Sequence, residues 1–310
     1  MIDIQTNDVE INSLSLSHSF GLGCLHAILH QGATSLIFKN TINLKEILKN
    51  GQHENATGFV GVPTTFYQII KSFSESFLSI SSLRYLLTNT APMKKESVLQ
   101  IINLLPKVNF YTYYGLTEAS RSTFLLFNNN QNKLESVGTT APGVGIKILD
   151  DDGNPLSNNH IGEIFIKGDH VIKNYWHNSK ANESIENDWL KTGDLGYFDS
   201  DGFLFLKSRK DDLINVGGEK FAPEEVESII KEMPEILDVA VIGMPNDLFG
   251  QLPIAFVVTN NEITSTQIIN YCGKKMERYK TPNKIIFLDA IPKTDSGKIK
   301  RNVLKSKFAQ

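Results

Sequence analysis

Cysteine is nearly absent: Cys24 and Cys272 are the only two, and no C-x-x-C spacing occurs. That excludes a disulfide scaffold and a cysteine-rich zinc site, and it fits a reducing cytoplasm. Charge of one sign is also lacking. A net charge of −3 and a pI near 6.2 supply no basic face of the kind that gives nucleic-acid binders most of their affinity, so small molecules are the expected partners. No apolar run approaches the ~20 residues of a bilayer span. The opening stretch MIDIQTNDVEINSLSLSHSF has no basic region followed by an apolar run, which a secretory signal requires.

What is present is ordinary globular material. With 41% hydrophobic residues, 310 residues suffice for a large core and more than one domain. Phe20 to about Phe38 reads as a helix ending at Gln31–Gly32 and then a short strand. The alternation continues: a strand at Ala56–Val62, a helix from Thr64, a strand at Leu83–Leu87 and a helix over Lys94–Leu104. Strand and helix in turn predict α/β layering. After about Glu135 come short strands between turn residues, at Gly145–Leu149, Gly162–Ile166 and Gly202–Leu206, which predict a β-rich subdomain over about 135–207. The mixture returns from Leu213, with helices at Pro223–Lys231 and from Ser265 and strands at Val239–Ile242, Ile254–Val258 and Lys284–Leu288. The expected division is 1–210 and a small α+β domain over 211–310, joined at the charged stretch Ser208–Asp212.

Chemistry concentrates in four places. Tyr111–Glu118 (YTYYGLTE) puts aromatic rings, a hydroxyl and a carboxylate around one glycine; the rings could stack on a base, Thr117 reach a phosphate and Glu118 hold Mg²⁺ through oxygen. Taken singly, the same residues read better as a strand end of buried tyrosines and a helix-capping Thr117. Trp189–Gly196 contains KTGD, with Asp194 expected on a tight turn, and Arg209 follows in the charged stretch. PKTDSGKIKR, from Pro292, places the turn Thr294-Asp295-Ser296-Gly297 before Lys298; a helix is expected directly after Gly297, packing through Val303 and Leu304.

In this order, YGLTE, KTGD, SRKDDLINVGGEKFAPEEVE and PKTDSGKIKR, the sequence resembles the adenylate-forming superfamily of acyl-CoA synthetases, luciferase-like enzymes and peptide-synthetase adenylation domains, across nearly its whole length. The resemblance implies the remainder of a large α/β domain with a β-rich subdomain, followed by a small mobile α+β C-terminal domain. It implies an ATP-dependent, AMP-forming acid–thiol ligase that activates a carboxylic acid as its adenylate and passes the acyl group to CoA or a carrier-protein phosphopantetheine. By the same resemblance Tyr114 stacks on adenine, Thr117 contacts the α-phosphate, Glu118 holds magnesium, and Asp194 and Arg209 hold the ribose. Lys298 bridges the carboxylate and the α-phosphate, Lys220 contacts phosphate, Asp211 is the hinge, and Gly217 and Gly218 let pantetheine approach the backbone. His18 lines the acyl tunnel, and Gly115 leaves the acyl pocket open to acids larger than acetate.

The superfamily's Ser/Thr/Gly-rich phosphate loop has no counterpart here; Gly138–Gly143 is similar in composition but lacks lysine. A chain without the first subdomain is therefore expected, impaired in adenylation, and a non-catalytic remnant that binds AMP or a partner chain is the alternative. His26 and His30 sit four apart near Cys24, as a metal pair would, but lack third and fourth ligands. Asp150, Asp152 and Asn154 imitate the start of a calcium loop, yet Pro155 and Ile161 stand where glycine and glutamate are needed, so a hairpin turn is expected.

Overall fold

A computed structural model describes residues 1–38, 43–294 and 297–308. The chain divides into two compact units, one made of Met1–Thr192 and Gly196–Leu206, the other of Gly193–Leu195 and Lys207 onward.

In the first unit, β1 (Val9–Asn12), β2 (Thr34–Ile37), β3 (Gly58–Gly61), β4 (Tyr85–Thr88), β5 (Asn109–Tyr114), β6 (Thr123–Leu126) and β7 (Thr139–Thr140) form one sheet in the order β2-β1-β3-β4-β5-β6-β7. β1 to β5 are parallel; β6 and β7 are antiparallel. Parallel neighbours need crossovers, and helices Ser19–His30, Leu44–His53, Pro63–Gln68 and Lys95–Leu104 supply them. Both faces are consequently buried, and successive residues divide between them. Phe59, Leu86 and Phe110 point into one apolar cluster with Ile11, Phe66 and Phe77. Their neighbours Val60, Leu87 and Tyr111 join Leu14, Phe20 and Cys24 on the other face.

A second, β-rich sheet is formed by β8 (Gly145–Leu149), β9 (Gly162–Lys167), β10 (Ile185–Glu186), β11 (Trp189–Phe198) and β12 (Leu204–Arg209), ordered β10-β11-β9-β8 with β12 on β11; all of it lies in the first unit except Gly193–Leu195 and Lys207–Arg209. Asp150 makes the expected turn, accepting the Asp152 and Asn154 backbone amides at 3.0 and 2.8 Å. KTGD does not form a tight turn. It lies inside the ten-residue β11, where Gly193 at φ +70° lets the strand deviate and continue. The strand expected from Gly202 starts two residues later, because Gly202, at φ +80°, belongs to the preceding turn.

In the second unit, β13 (Ile214–Val216), β14 (Glu219–Phe221), β15 (Ile236–Asn246), β16 (Gly250–Thr259) and β17 (Lys284–Phe287) are ordered β14-β13-β16-β15, with β17 parallel to β16. Val239, Val241, Ala255 and Val257 face helices Pro223–Ile230 and Ser265–Lys275. Ala240, Ile242 and Phe256 face helix Arg301–Phe308. That last helix starts at Arg301, not directly after Gly297. Lys293 and Ile299 form an antiparallel bridge first, and the Lys300 amide donates to the Pro292 carbonyl at 2.8 Å. Leu304 packs as expected, whereas Val303 is 43% exposed and Arg301 is buried in its stead. Asp295 and Ser296 of the expected turn lie outside the described residues.

Candidate active site

At the end of β5 the chain doubles back within a few residues. Gly115 permits this: a Cβ there would stand 2.5 Å from the Arg121 nitrogen and 2.7 Å from the Ala119 oxygen. Leu116 and Ala119 exchange backbone hydrogen bonds of 3.1 and 3.2 Å, and Ser122 returns to the Tyr114 carbonyl at 2.8 Å. Thr117 and Glu118 form the tip. Glycine at 115 is thus required by the turn. Its open side meets loop backbone rather than a substrate pocket, which corrects the expectation drawn from the resemblance.

Thr117 is exposed and its hydroxyl donates to Ser19 Oγ at 3.3 Å, joining the loop to the start of helix Ser19–His30. No helix follows Thr117, so it is not a cap. Glu118 turns the other way and accepts the Tyr175 hydroxyl at 3.1 Å. His18 occupies the N-cap position without capping, which leaves its imidazole free to face outward. Between these elements lies a cleft of about 790 Å³, walled by the helix start, Thr117, Ser120, Arg121, Pro142–Val144 and Asp169–His170. His170 bonds Ser122 Oγ at 3.0 Å, and burial holds its pKa below the ordinary value of 6.5, favouring the neutral ring at neutral pH. His18 is on this wall; Glu118 and Gly115 are not.

Tyr114 is 6% exposed and packs with Ile148, Ile164 and Leu190. So little of the ring is exposed that the apolar cluster, rather than the cleft, surrounds most of it.

Asp194 and Arg209, fifteen residues apart, form an ion pair of 3.0 Å. Gly193 makes room for it, since a Cβ there would lie 3.3 Å from Arg209 Nη2. Elsewhere in the second unit, Gly217 and Gly218 are the central residues of the β13–β14 hairpin, at φ +61° and +99°. Two consecutive positive φ values define a type I′ turn, which favours glycine. A Cβ on Gly218 would meet nothing within 4 Å, so this backbone is open to an approaching chain. Lys220 follows on β14 and is exposed, as is Asp211 in the helical turn Lys210–Asp212. Lys298 is exposed beside the Lys293–Ile299 bridge, its amide donating to Thr294 Oγ1 at 3.1 Å.

Among the described residues no group of three or more His, Cys, Asp or Glu could hold a metal ion. Cys24 is buried, and burial pushes its thiol up to about 12, so it offers no thiolate beside the exposed His26. A single carboxylate such as Glu118 suits Mg²⁺ only when phosphate oxygens and water complete the octahedron. Sequence reasoning passed over Arg121, His170 and Tyr175. Arg121, three residues past Glu118, was within reach of the motif; the other two lie some fifty residues away, and only the fold brings them in.

Residues 2–176 match the AMP-binding enzyme family, and residues 225–298 match the AMP-binding enzyme C-terminal domain. A long-chain-fatty-acid–CoA ligase of Mycobacterium tuberculosis is 35% identical over 81% of this chain and 50% of its own length. A 4-coumarate–CoA ligase of Narcissus pseudonarcissus is 31% identical, covering 98% of this chain and 57% of its own. Among solved structures, the o-succinylbenzoate-CoA synthetase of Bacillus subtilis in complex with its acyl-adenylate intermediate superposes with a TM-score of 0.86 at 30% identity, over 98% of this chain and 62% of that one. The chain spans about half the length of the curated relatives it matches.

Proposed function

Because the chain belongs to the AMP-binding enzyme family, we propose that it carries out, or forms the larger part of an enzyme that carries out, ATP-dependent AMP-forming acid–thiol ligation. The observation that bears most on this reading is the exposed Thr117, held at the tip of a rigid turn on the wall of a cleft large enough for an organic acid.

In this proposal the acid's carboxylate oxygen attacks the α-phosphorus of ATP and pyrophosphate leaves. A thiol sulfur then attacks the acyl carbon, and AMP and a proton leave. Thr117 donates to the α-phosphate, and Asp194 and Arg209 exchange their mutual ion pair for the ribose hydroxyls. Mg²⁺, held through Glu118 and the phosphates, would offset the charge on the departing pyrophosphate. Lys298 supplies a cation where carboxylate and phosphate meet, a place where two anions repel and a fixed positive charge lowers the barrier. Asp211 is the hinge that lets Lys298 leave before thiol attack, and the open backbone at Gly217 and Gly218, with Lys220 nearby, receives the pantetheine arm. CoA is the thiol that the names of the relatives support. The cleft of about 790 Å³, rather than Gly115, leaves room for an acid larger than acetate.

Exchange of labelled pyrophosphate into ATP, run with a panel of acids, tests the reading. It is measured on this chain alone and on the chain joined to the part of a relative that it does not cover. Acid-dependent exchange is expected in the joined protein and little in the chain alone. Lys298→Ala should lower adenylate formation about 10²–10³-fold while sparing thioester formation from supplied acyl-adenylate. Equal loss in both half-reactions, or no exchange with any acid, would refute it.

A further inference from the structure

Arg121 is the residue on the cleft wall for which the proposed chemistry has no use, and its surroundings point to a ligand. Its guanidinium has five N–H donors, yet among the described residues its one hydrogen-bond partner is Cys24 Sγ at 3.4 Å, a weak acceptor. Arg84, Arg209 and Arg301 are each held by a carboxylate. Arg121 has no carboxylate within ion-pair distance among the described residues. Asp169 is on the same wall but does not reach it, and Glu10, in the buried layer behind, bonds Tyr85 and feels the Arg121 charge without pairing with it.

The fold nevertheless positions this side chain closely. Its backbone stands at φ +62°, a conformation that costs a residue with a Cβ, and such outliers concentrate where a site holds them. The guanidinium carbon lies 5.7 Å over the Tyr113 ring. On the facing helix Gly23 lies against it, where a Cβ would make ordinary contact with Arg121 Nη1 at 3.4 Å.

The helix also measures the cleft. Ser19 meets Thr117, and Gly23 meets Arg121; four residues at 1.5 Å each separate the two contacts by about 6 Å. The wall between is mostly apolar, with Leu22, Ala141 and Val144 on it, while His18, His26, Ser120 and Arg121 supply its polar groups. From this we infer that Arg121 is a specificity residue that binds a second anionic group of the substrate, a carboxylate set a few carbons from the one that reacts, so that the preferred acid is a short dicarboxylate. This rests on the reading that the first carboxylate is activated beside Thr117.

The test uses the chain as it is. Phenylglyoxal modification of Arg121 is followed by mass spectrometry in the presence of dicarboxylates from succinate to adipate, of monocarboxylates of equal length, or of AMP and pyrophosphate, with exposed Arg278 as the internal control. Half-protection is expected at a tenfold or more lower concentration of the best dicarboxylate than of its monocarboxylate, without protection of Arg278. Arg121→Gln should reduce dicarboxylate affinity, measured by calorimetry, to that of the monocarboxylate, and Arg121→Lys should keep part of the difference. Equal protection by both acids overturns the inference, and so does protection by AMP or pyrophosphate alone, which would make Arg121 a nucleotide contact. AMP binding without dicarboxylate protection leaves the ligase reading standing and sinks this one; dicarboxylate protection without AMP binding does the reverse.

Discussion

Glu10 is 2% exposed; one carboxyl oxygen accepts the Tyr85 hydroxyl at 2.8 Å and the other has no partner. Burial raises its pKa from 4.5 to about 7, against the lowering effect of the Tyr85 hydrogen bond. The folded state therefore holds a proton that the unfolded chain releases near pH 4.5, so this residue makes stability fall as pH rises from about 4.5 to 7. The full loss is of order 3 kcal/mol. Glu10→Gln should flatten that slope in denaturant titrations at pH 5 and pH 8; equal slopes in both proteins would show that the carboxyl is not the cause. Arg301 presents the opposite case, a buried cation fully engaged. It meets Glu227 at 2.5 Å, Glu224 at 2.6 Å and the Val241 carbonyl at 2.9 Å. Removing one partner of a buried pair leaves the other uncompensated, so Arg301→Leu should destabilise the second unit by about 3–5 kcal/mol in chemical denaturation.

Two glycines separate what a turn requires from what packing requires. Gly218 stands at φ +99° in open space, so Gly218→Ala carries backbone strain alone and should cost about 1–2 kcal/mol. Gly138 has φ +94°, and a Cβ there would lie 1.9 Å from the Phe124 oxygen. Because that oxygen belongs to strand β6, Gly138→Ala must displace the strand and should cost about 3 kcal/mol or more. Thermal melts of the two variants measure the contrast, and similar losses would mean that β6 yields easily. At this scale the sequence was legible in its short apolar runs: those holding Val60 and Leu86–Leu87 read as strands, and strands form there. It misled at KTGD, where a glycine signalled a turn and the structure places a deviation inside a strand. It misled again after Gly297, where an antiparallel bridge precedes the helix.

For the whole molecule, the two units have separate apolar cores, one set around Phe59 and Phe110 and another around Val241 and Phe256. Calorimetry should accordingly resolve two transitions, with Gly138→Ala lowering one and Arg301→Leu the other. A single transition shifted by both substitutions would mean that the units unfold as one. The chain passes from one unit to the other at Leu206–Lys207, and Gly193–Leu195 also belong to the second.

Taken alone, the sequence determined the α/β alternation, the β-rich middle, the α+β end and the order of four motifs, because these depend on local periodicity and on residue types a few positions apart. The tertiary structure decided which side chains meet. That Tyr114 is covered, that Gly115 serves a turn, that Tyr175 reaches Glu118, and that Arg121 stands beside a helical glycine without a carboxylate all depend on contacts between residues distant along the chain. Such contacts follow from how the layers pack, and packing leaves no periodic trace in the residues that make it.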